Sequence, residues 1–245
     1  MSWNDINKEF ISPNIARVLY HNLNFDIQAY LELGSEFGDP ILELGAGLGR
    51  VSQALIQQNF RVTALEYFPE YCEELEHLRS HLPEITQKNF KIVCSDMSKQ
   101  SFQENFGLIL LPLRAVNLLT AEERFSTFEK SFQQLHDKGA FAFHLACFNR
   151  SQANQIWKQI QELKTDLGWL EIDEMLSFEH HNKIYQLRHR IYQFNEQHQL
   201  IGTWRVAHNL LEIDVIDLQQ ELAEVGFENI RIQNLGKDKL IVATK

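Results

Sequence analysis

Several features that define other classes of protein are absent from this sequence of 245 residues. Its three cysteines, Cys72, Cys94 and Cys147, are far apart and form no CxxC or Cys/His spacing, which argues against a zinc site and against a disulfide framework. No run approaches the ~20 apolar residues of a membrane span, and the charged N-terminus lacks the apolar segment of a signal peptide. Because sparse, unpaired cysteines fit a reducing compartment, we expect a cytoplasmic protein without a membrane partner.

Basic residues are also in short supply. The chain has 23 lysines and arginines against 33 aspartates and glutamates, which gives a formal net charge of −10 at pH 7. Binding to nucleic acid needs clustered lysine and arginine, so this balance argues against a nucleic-acid partner. The content of 44% hydrophobic and 23% charged residues is that of an ordinary globular protein, which we expect to be a monomer or a homodimer.

Helical and strand-like segments alternate through the first 150 residues. Residues 14–33 are predicted to form one amphipathic helix, and the Gly-Asp-Pro sequence at 38–40 interrupts the chain after it. Short apolar segments then recur between helical ones, and we predict five strands that begin near Ile41, Arg61, Phe90, Phe106 and Ala140. This alternation predicts a parallel sheet with helices on both faces.

The pattern changes after about residue 150. Residues 152–164 are predicted to be helical, and residues 184–194 and 200–210 alternate like two antiparallel strands. A helix that stops at Gly226 follows, and two strands near 230–233 and 239–243 come last. The antiparallel stretch therefore interrupts the α/β alternation before the final helix.

A glycine loop joins the first predicted strand to the helix after it. The segment reads ELGAGLGR over residues 43–50. Glycines suit a sharp turn that a ligand approaches closely, and the N-terminus of the next helix offers free N–H groups. In the dinucleotide fingerprint GxGxxG the third glycine stands at the sixth position, whereas here that position is Arg50 and the third glycine, Gly49, comes one residue early.

The ELGAGLGR segment resembles motif I of the class I S-adenosylmethionine-dependent methyltransferases. The resemblance extends from about Tyr20 to the end, and it is closest to small-molecule methyltransferases that have a tyrosine helix before the motif and a PxRxxxxL stretch after strand four. Here that stretch is Pro112–Leu119. The resemblance implies a Rossmann-like three-layer α/β sandwich. Its seven-stranded sheet is mostly parallel with an antiparallel last strand, and an antiparallel β insertion or cap is added.

The resemblance also implies a site for S-adenosylmethionine, and for its product S-adenosylhomocysteine, at the carboxyl ends of the strands. An acid at the position of Glu66 can accept both ribose hydroxyls, Asp96 and Met97 stand where the family holds the adenine, and Tyr20 matches a tyrosine that folds over the methionine part in relatives. The full set of predicted cofactor residues is Tyr20, Glu43, Gly45, Ala46, Gly47, Gly49, Glu66, Tyr67, Asp96, Met97 and Leu111.

Three residues after strands four and five are candidates for catalysis on the acceptor side. Arg114 would anchor a carboxylate or form a plain salt bridge, and Asn117 would orient an amine or a carbonyl. His144 is either a general base or a satisfied core histidine, and some relatives have aspartate at its position. No metal site is predicted, because no carboxylate triad is evident near the adjacent pair His180 and His181, which is better explained as a solvated loop.

The resemblance predicts an enzyme that methylates nitrogen or oxygen of a small-molecule acceptor. We expect a single domain with an N-terminal helical lid (1–38), a cofactor-binding core (39–150), a substrate-side insertion (151–212) and a C-terminal helix with two strands (213–245). Two alternatives stay open: an NAD-dependent oxidoreductase, which Glu66 would also suit, and a non-catalytic relative that binds the cofactor or a partner protein.

Overall fold

The computed structural model describes residues 11–20, 22–165 and 168–245. The described chain divides into a larger unit, residues 12–147 and 213–245, and a smaller unit formed mainly by residues 148–212. Residues 1–10, which belong to the predicted N-terminal lid, and His21 lie outside the described residues. No helix within the described ranges combines the length and the apolar character needed to cross a membrane.

The helices and strands have the following bounds. The α-helices are α1 (Pro13–Tyr20), α2 (Ile27–Phe37), α3 (Arg50–Gln57), α4 (Pro69–Ser80), α5 (Glu84–Gln87), α6 (Ala121–Gln134) and α7 (Val215–Val225). The strands are β1 (Ile41–Leu44), β2 (Val62–Glu66), β3 (Phe90–Cys94), β4 (Phe106–Leu111), β5 (Leu135–Leu145), β6 (Lys158–Thr165), β7 (Gly168–Glu179), β8 (Ile184–Phe194), β9 (Leu200–Leu211), β10 (Glu228–Leu235) and β11 (Asp238–Thr244).

The larger unit contains a seven-stranded sheet in the order β10-β11-β5-β4-β1-β2-β3. Strands β1 to β5 run parallel to one another. Strand β11 is antiparallel to β5, and β10 is antiparallel to β11. This order confirms the predicted Rossmann-like α/β fold with its antiparallel last strand. Because β11 runs the other way, its first residue lies at the edge of the sheet where β1 to β5 end.

The sheet separates two apolar clusters. Successive residues of β4 enter opposite clusters, because side chains alternate between the faces of a strand: Leu108 and Leu110 lie in one cluster, Ile109 and Leu111 in the other. Helices α2, α3 and α4 contribute to the first cluster, and α6 and α7 contribute to the second. A strand buried on both faces needs a continuous apolar run, which is what β4 has.

Helix boundaries follow local signals. Thr120 accepts a hydrogen bond from the Glu123 backbone N–H while the Glu123 carboxylate accepts one from the Thr120 N–H, which is a capping box at the start of α6. The Asp214 side chain caps α7 by accepting from Ile216 N at 2.7 Å. Gly226, in the left-handed conformation at φ 114°, ends α7 as predicted.

The prediction of one helix over residues 14–33 is wrong. The chain forms α1 and α2 with a non-helical segment between them, and the guanidinium of Arg50 binds this segment. Arg50 donates to the backbone carbonyl of Leu23 at 3.0 Å and to the carboxylate of Asp26 at 2.8 Å. A continuous helix would use the Leu23 carbonyl for its own hydrogen bonds, so this contact favours the break.

The predicted helix over residues 152–164 is also wrong. A short 3₁₀ turn at Arg150–Gln152 is followed by strand β6, which pairs antiparallel with β7. Ile156, Ile160 and Leu163 have helical spacing in the sequence, yet Ile160 is 50% exposed on an edge strand. Pairing with a neighbouring strand has overridden the local periodicity.

The smaller unit is a four-stranded antiparallel sheet in the order β6-β7-β8-β9. The sequence predicted β8 and β9, and it missed β7. The two ends of this unit are joined, because Arg150 donates to Glu212 at 3.0 Å and the hydroxyl of Tyr185 contacts both the Phe148 carbonyl and Glu212 at 3.2 Å. The predicted antiparallel insertion is therefore present as a sheet, and the first and last residues of the segment that forms it contact each other.

Candidate active site at the carboxyl-terminal edge of the sheet

The glycine loop follows β1 as predicted and is bonded to the neighbouring strand. Gly45 N and Ala46 N both donate to the carbonyl of Leu65 in β2, at 2.8 and 3.0 Å. Gly45, Gly47 and Gly49 have φ angles of 69°, 56° and 81°, which side-chain-bearing residues rarely adopt. The loop therefore needs its glycines for conformation, and it is fixed at the point where β1 and β2 end.

Gly47 and Gly49 differ in what surrounds them. A Cβ atom added at Gly47 would meet nothing within 4 Å, whereas one added at Gly49 would lie 2.7 Å from Leu75 Cδ2 and 3.0 Å from Leu78 Cδ2. Gly49 thus allows α3 to pack closely against α4. Gly47 leaves open space next to exposed backbone, which is the environment that a ligand approaching the loop requires.

The Glu66 carboxylate ties the end of β2 to this loop. Its Oε2 accepts from Gly47 N at 2.7 Å, and its Oε1 accepts from Tyr67 N at 2.7 Å and Phe68 N at 3.0 Å. Glu66 is 5% exposed, and the neighbouring Tyr67 side chain is 43% exposed. A carboxylate has about four acceptor positions, so one held by three backbone donors keeps a position for a further donor such as a hydroxyl.

Glu43 faces the core instead. It is 2% exposed, and its carboxyl accepts a hydrogen bond from the Ser52 hydroxyl of α3. Burial raises the pKa of Glu43 to about 7, against the hydrogen bond from Ser52 and the nearby charge of Arg50, both of which lower it. The structure thus places Glu43, a predicted cofactor residue, where it joins β1 to α3.

Asp96 and Met97 follow β3 at the same edge. Oδ1 of Asp96 accepts from the N–H of Ser98 at 3.0 Å and from its hydroxyl at 2.7 Å, and Lys99 Nζ lies 3.2 Å from Oδ2. The methyl group of Met97 lies 3.4 Å from the position that a Cβ atom would take at Gly45. The third strand end thereby contacts the glycine loop at the end of the first.

Tyr20, the last residue of α1, lies within electrostatic range of Arg114 and of Tyr71 in α4. Burial raises the pKa of Tyr20 to about 12, and the charge of Arg114 lowers it in part. The pKa of Tyr71 in α4 is raised by burial and then by Tyr20 and Glu66. The structure therefore brings the predicted tyrosine within electrostatic range of Arg114 after β4, and Tyr71 interacts with both Tyr20 and Glu66.

The segment after β4 turns sharply. Leu111 is fully buried, and Leu113 and Arg114 both have positive φ angles, 49° and 63°. A positive φ angle is strained for a residue other than glycine, and two such residues are consecutive here. Strain of this kind is common at functional sites. The turn is followed by a 3₁₀ helix in which Asn117, fully buried, accepts from the backbone N–H of Ala146 at 2.8 Å.

Asp238 joins three segments at this edge of the sheet. Its Oδ2 accepts from Arg114 Nε and Nη2, both at 2.7 Å, and from His144 Nε2 at 3.0 Å, while its Oδ1 accepts from Cys147 N at 3.1 Å. Burial alone would raise the pKa of Asp238, but the hydrogen bond from His144 and the charge and hydrogen bonds of Arg114 and Cys147 lower it to about 2. A buried, ionised carboxylate therefore links the ends of β4, β5 and the start of β11.

His144 is completely buried at this junction. Among the described residues, no donor or acceptor lies within hydrogen-bond distance of its Nδ1. The ring of Phe25 stands edge-on to the imidazole, with centroids 5.8 Å apart and planes at 81°. Arg114 and His144, two predicted acceptor-side residues, thus meet on a third residue.

Asp238 is the residue that sequence reasoning missed. It is the first residue of β11, directly after the turn between the last two strands, where nothing in its local pattern marks a site. Its position follows only from the antiparallel pairing of β11 with β5, which joins residues far apart in the chain. Within the described residues, no cluster of three or more His, Cys, Asp or Glu side chains is arranged to hold a metal ion.

Comparisons with known sequences match only parts of the chain. No family model matches it. A segment of 86 residues is 31% identical to ribosomal RNA small subunit methyltransferase A of Bartonella tribocorum, and it covers 35% of this chain and 30% of that protein. Another, of 120 residues, is 24% identical to phosphoethanolamine N-methyltransferase 3 of Arabidopsis thaliana, covering 48% of this chain and 24% of that protein. The chain thus spans less than a third of the curated relatives it matches.

Comparisons with solved structures cover nearly the whole chain. An amino pentose methyltransferase from Micromonospora echinaspora has a TM-score of 0.78 at 15% identity, over 97% of this chain and 98% of that one. DesVI of Streptomyces venezuelae has a TM-score of 0.77 at 14% identity, over 96% and 98%. The glycopeptide N-methyltransferase MtfA has a TM-score of 0.61 at 19% identity, over 89% and 86%. The chain therefore has the Rossmann-like fold of the class I S-adenosylmethionine-dependent methyltransferases.

Proposed function

We propose that this protein binds S-adenosylmethionine and transfers its methyl group to a nitrogen or oxygen atom of a small-molecule acceptor. The observation that carries the proposal is the junction of β1 and β2, where Gly47 N donates to Glu66 at 2.7 Å beside a glycine that borders open space. This junction offers a backbone that a ligand can approach and a buried carboxylate that can accept ribose hydroxyls.

The residues that would hold the cofactor come from four segments of the edge. Glu66 would accept from the ribose, Asp96 and Met97 would border the adenine, and Tyr20 would cover the methionine part. Leu111 would close the site at the end of β4. The cofactor supplies a methyl group that is already activated, so the protein has to bind, orient and dehydrate rather than provide a nucleophile.

The proposed acceptor is a small molecule. Similar structures include an amino pentose methyltransferase and a glycopeptide N-methyltransferase, and a partial sequence match is to a phosphoethanolamine N-methyltransferase. Another partial match is to a ribosomal RNA methyltransferase, but a net charge of −10 opposes binding to a polyanion. Arg114, Asn117 and His144 are the residues proposed for the acceptor side.

An NAD-dependent oxidoreductase is the second candidate, because a carboxylate at the end of β2 also suits the ribose of NAD. Two observations speak against it. Gly49 is used to pack α3 against α4, and Arg50, at the position of the third glycine of the dinucleotide fingerprint, is bound to Asp26 at 2.8 Å.

The test is titration calorimetry of the full chain with S-adenosylhomocysteine and, separately, with NAD. We expect micromolar binding of the first and none of the second. Glu66→Ala should weaken S-adenosylhomocysteine at least tenfold, because a charge-assisted hydrogen bond is worth about 1.5–3 kcal/mol. Glu70→Ala, at an exposed acid four residues further on, is the matched control and should leave the affinity unchanged.

Methyl transfer is then measured with tritiated S-adenosylmethionine on phosphoethanolamine and on amino sugars. Incorporation into one of these acceptors would support the enzyme. Binding of NAD alone would favour the oxidoreductase, and binding of S-adenosylhomocysteine with no transfer would favour a non-catalytic relative.

A further inference from the structure

We propose that Asp238 is a positioning residue that fixes the tautomer of His144, so that Nδ1 carries the lone pair that takes a proton from the methyl acceptor. The inference rests on the proposed methyltransferase function and deepens it. It assigns a role to a residue that the sequence did not mark, and it restricts the acceptor to a group that has a proton to lose.

The first step concerns Nε2 of His144. Among the described residues, its hydrogen-bond partner is Oδ2 of Asp238, at 3.0 Å, and the same oxygen also accepts from Arg114 at 2.7 Å. An ionised carboxylate can only accept hydrogen bonds. Nε2 must therefore carry the proton in this pair, and a neutral imidazole with a protonated Nε2 has its lone pair on Nδ1.

The second step concerns Nδ1. His144 is 0% exposed, and within the part of the chain that the structure describes Nδ1 has no hydrogen-bond partner. An N–H buried without an acceptor costs about 1–3 kcal/mol, so this environment favours the unprotonated nitrogen. A buried lone pair at a strand end is suited to accept a proton from a ligand that enters the same space.

The third step concerns access. The ring of Phe25 packs edge-on against the imidazole of His144, and Phe25 is itself 43% exposed. Phe25 belongs to the segment between α1 and α2, which Arg50 holds through Asp26 and the Leu23 carbonyl. In the proposed complex the acceptor reaches the imidazole beside the partly exposed Phe25 ring, and this ring would help to exclude water from the acceptor.

The chemistry defines the acceptor class. An ammonium group or a hydroxyl passes its proton to Nδ1, and the resulting imidazolium is stabilised by the adjacent carboxylate of Asp238. The lone pair freed on nitrogen or oxygen forms the bond to the methyl carbon, while the pair of the broken carbon–sulfur bond stays on sulfur. The proton then leaves His144 for solvent. A thioether or an aromatic nitrogen without a proton would gain nothing from this base.

The direct test is the tautomer of His144, measured by long-range ¹H–¹⁵N correlation on the histidine-labelled full chain with S-adenosylhomocysteine present. His144→Gln assigns the signal among the ten histidines. We expect a protonated Nε2 and an unprotonated Nδ1 in the wild type. Asp238→Asn should produce a mixture of tautomers, and Asp137→Asn, an exposed acid near the start of β5, should change nothing. A proton on Nδ1 in the wild type would overturn the proposal, even if Asp238→Asn failed to fold.

The catalytic part is tested by methyl transfer to phosphoethanolamine or to whichever amine accepts the methyl group. Asp238→Asn should lower kcat at least tenfold and leave the affinity for S-adenosylhomocysteine within about twofold, since Asp238 is not part of the glycine loop. An unchanged kcat would contradict the proposal that His144, positioned by Asp238, acts as the general base. If the wild type did not bind S-adenosylhomocysteine, the proposed function would be contradicted. The tautomer measurement would still test the pairing of Asp238 with His144.

Discussion

Glu43 and Asp238 are both almost completely buried in the same sheet, yet their pKa values shift in opposite directions. Burial raises the pKa of Glu43 to about 7, because its strongest partner is a single hydroxyl, that of Ser52. For Asp238, the donors His144, Arg114 and Cys147 N outweigh burial and lower the pKa to about 2. The convergence of donors, and not depth of burial, decides where this protein keeps a buried charge.

The difference extends to the two halves of the candidate site. The half at β1 and β2 is built from backbone N–H groups and glycine conformations, and its parts are close together in the sequence. The half at β5 and β11 is built from polar side chains that the chain brings together from positions 114, 144 and 238. Variants in the two halves should therefore fail in different ways.

Removal of the Asp238 carboxylate should have the largest effect. Asp238→Ala leaves Nε2 of the fully buried His144 without this acceptor and removes the carboxylate that binds the partly exposed Arg114, and the loss of one partner of a buried ion pair costs up to about 3–5 kcal/mol. Urea unfolding at pH 7 measures this. Asp137→Ala, an exposed control, should stay within about 0.5 kcal/mol of the wild type. A loss below about 1 kcal/mol for Asp238→Ala would show that the acceptor half does not depend on this charge.

The pH dependence of stability should separate the two carboxyl groups. The folded pKa of Glu43 is raised from 4.5 to about 7, so the folded state binds the proton more tightly. The free energy of unfolding should then fall as pH rises from about 4.5 to about 7, by up to roughly 3 kcal/mol from this group. Glu43→Gln should lack that loss, and unfolding curves of both proteins at pH 5 and pH 8 measure the difference.

Asp238 supplies the opposite control. Because its folded pKa is lowered from 3.8 to about 2, its contribution is present above pH 3.8 and is lost as the pH falls towards 2. In a plot of the free energy of unfolding against pH, Asp238→Asn should therefore change the values below about pH 4. Glu43→Gln should change the values between about pH 4.5 and 7. If both variants altered the same pH range, the contrast between the two groups would be wrong.

The two glycines of the loop should separate stability from binding. Gly47→Ala meets only the left-handed φ penalty, about 1–2 kcal/mol, whereas Gly49→Ala adds contact with Leu75 and an overpacking cost of about 1–3 kcal/mol. Gly47→Ala should nevertheless bind S-adenosylhomocysteine much more weakly. Thermal unfolding and calorimetry check this pair, and equal stability losses would remove the distinction between the glycines.

The sequence predicted the features that depend on local pattern. The alternation of apolar and helical segments gave the parallel core, and the loop over residues 43–50 could be placed because its glycines and the strand before it are contiguous. Capping at Asp214 and termination at Gly226 are local too, which is why α7 was predicted correctly.

The errors arose where distant contacts override local pattern. Residues 152–164 have helical spacing but pair as a strand with β7. The break after α1 depends on Arg50, which is more than twenty residues away from Leu23 and Asp26. Asp238 lies 94 residues from His144, so no spacing rule connects them. Side-chain networks assembled by sheet topology have no signature in a single sequence.

The four-stranded sheet has a further consequence, because its ends meet. Arg150 and Glu212 join the first and last residues of the segment, and the hydroxyl of Tyr185 contacts both sides of this junction. A segment whose two ends lie together can be exchanged in evolution, or in the laboratory. The exchange need not change the strand order of the sheet that the residues before and after it form. Residues 148–212 are therefore a natural unit for grafting, because a replacement segment would need to match only one junction, the one that Arg150 and Glu212 form.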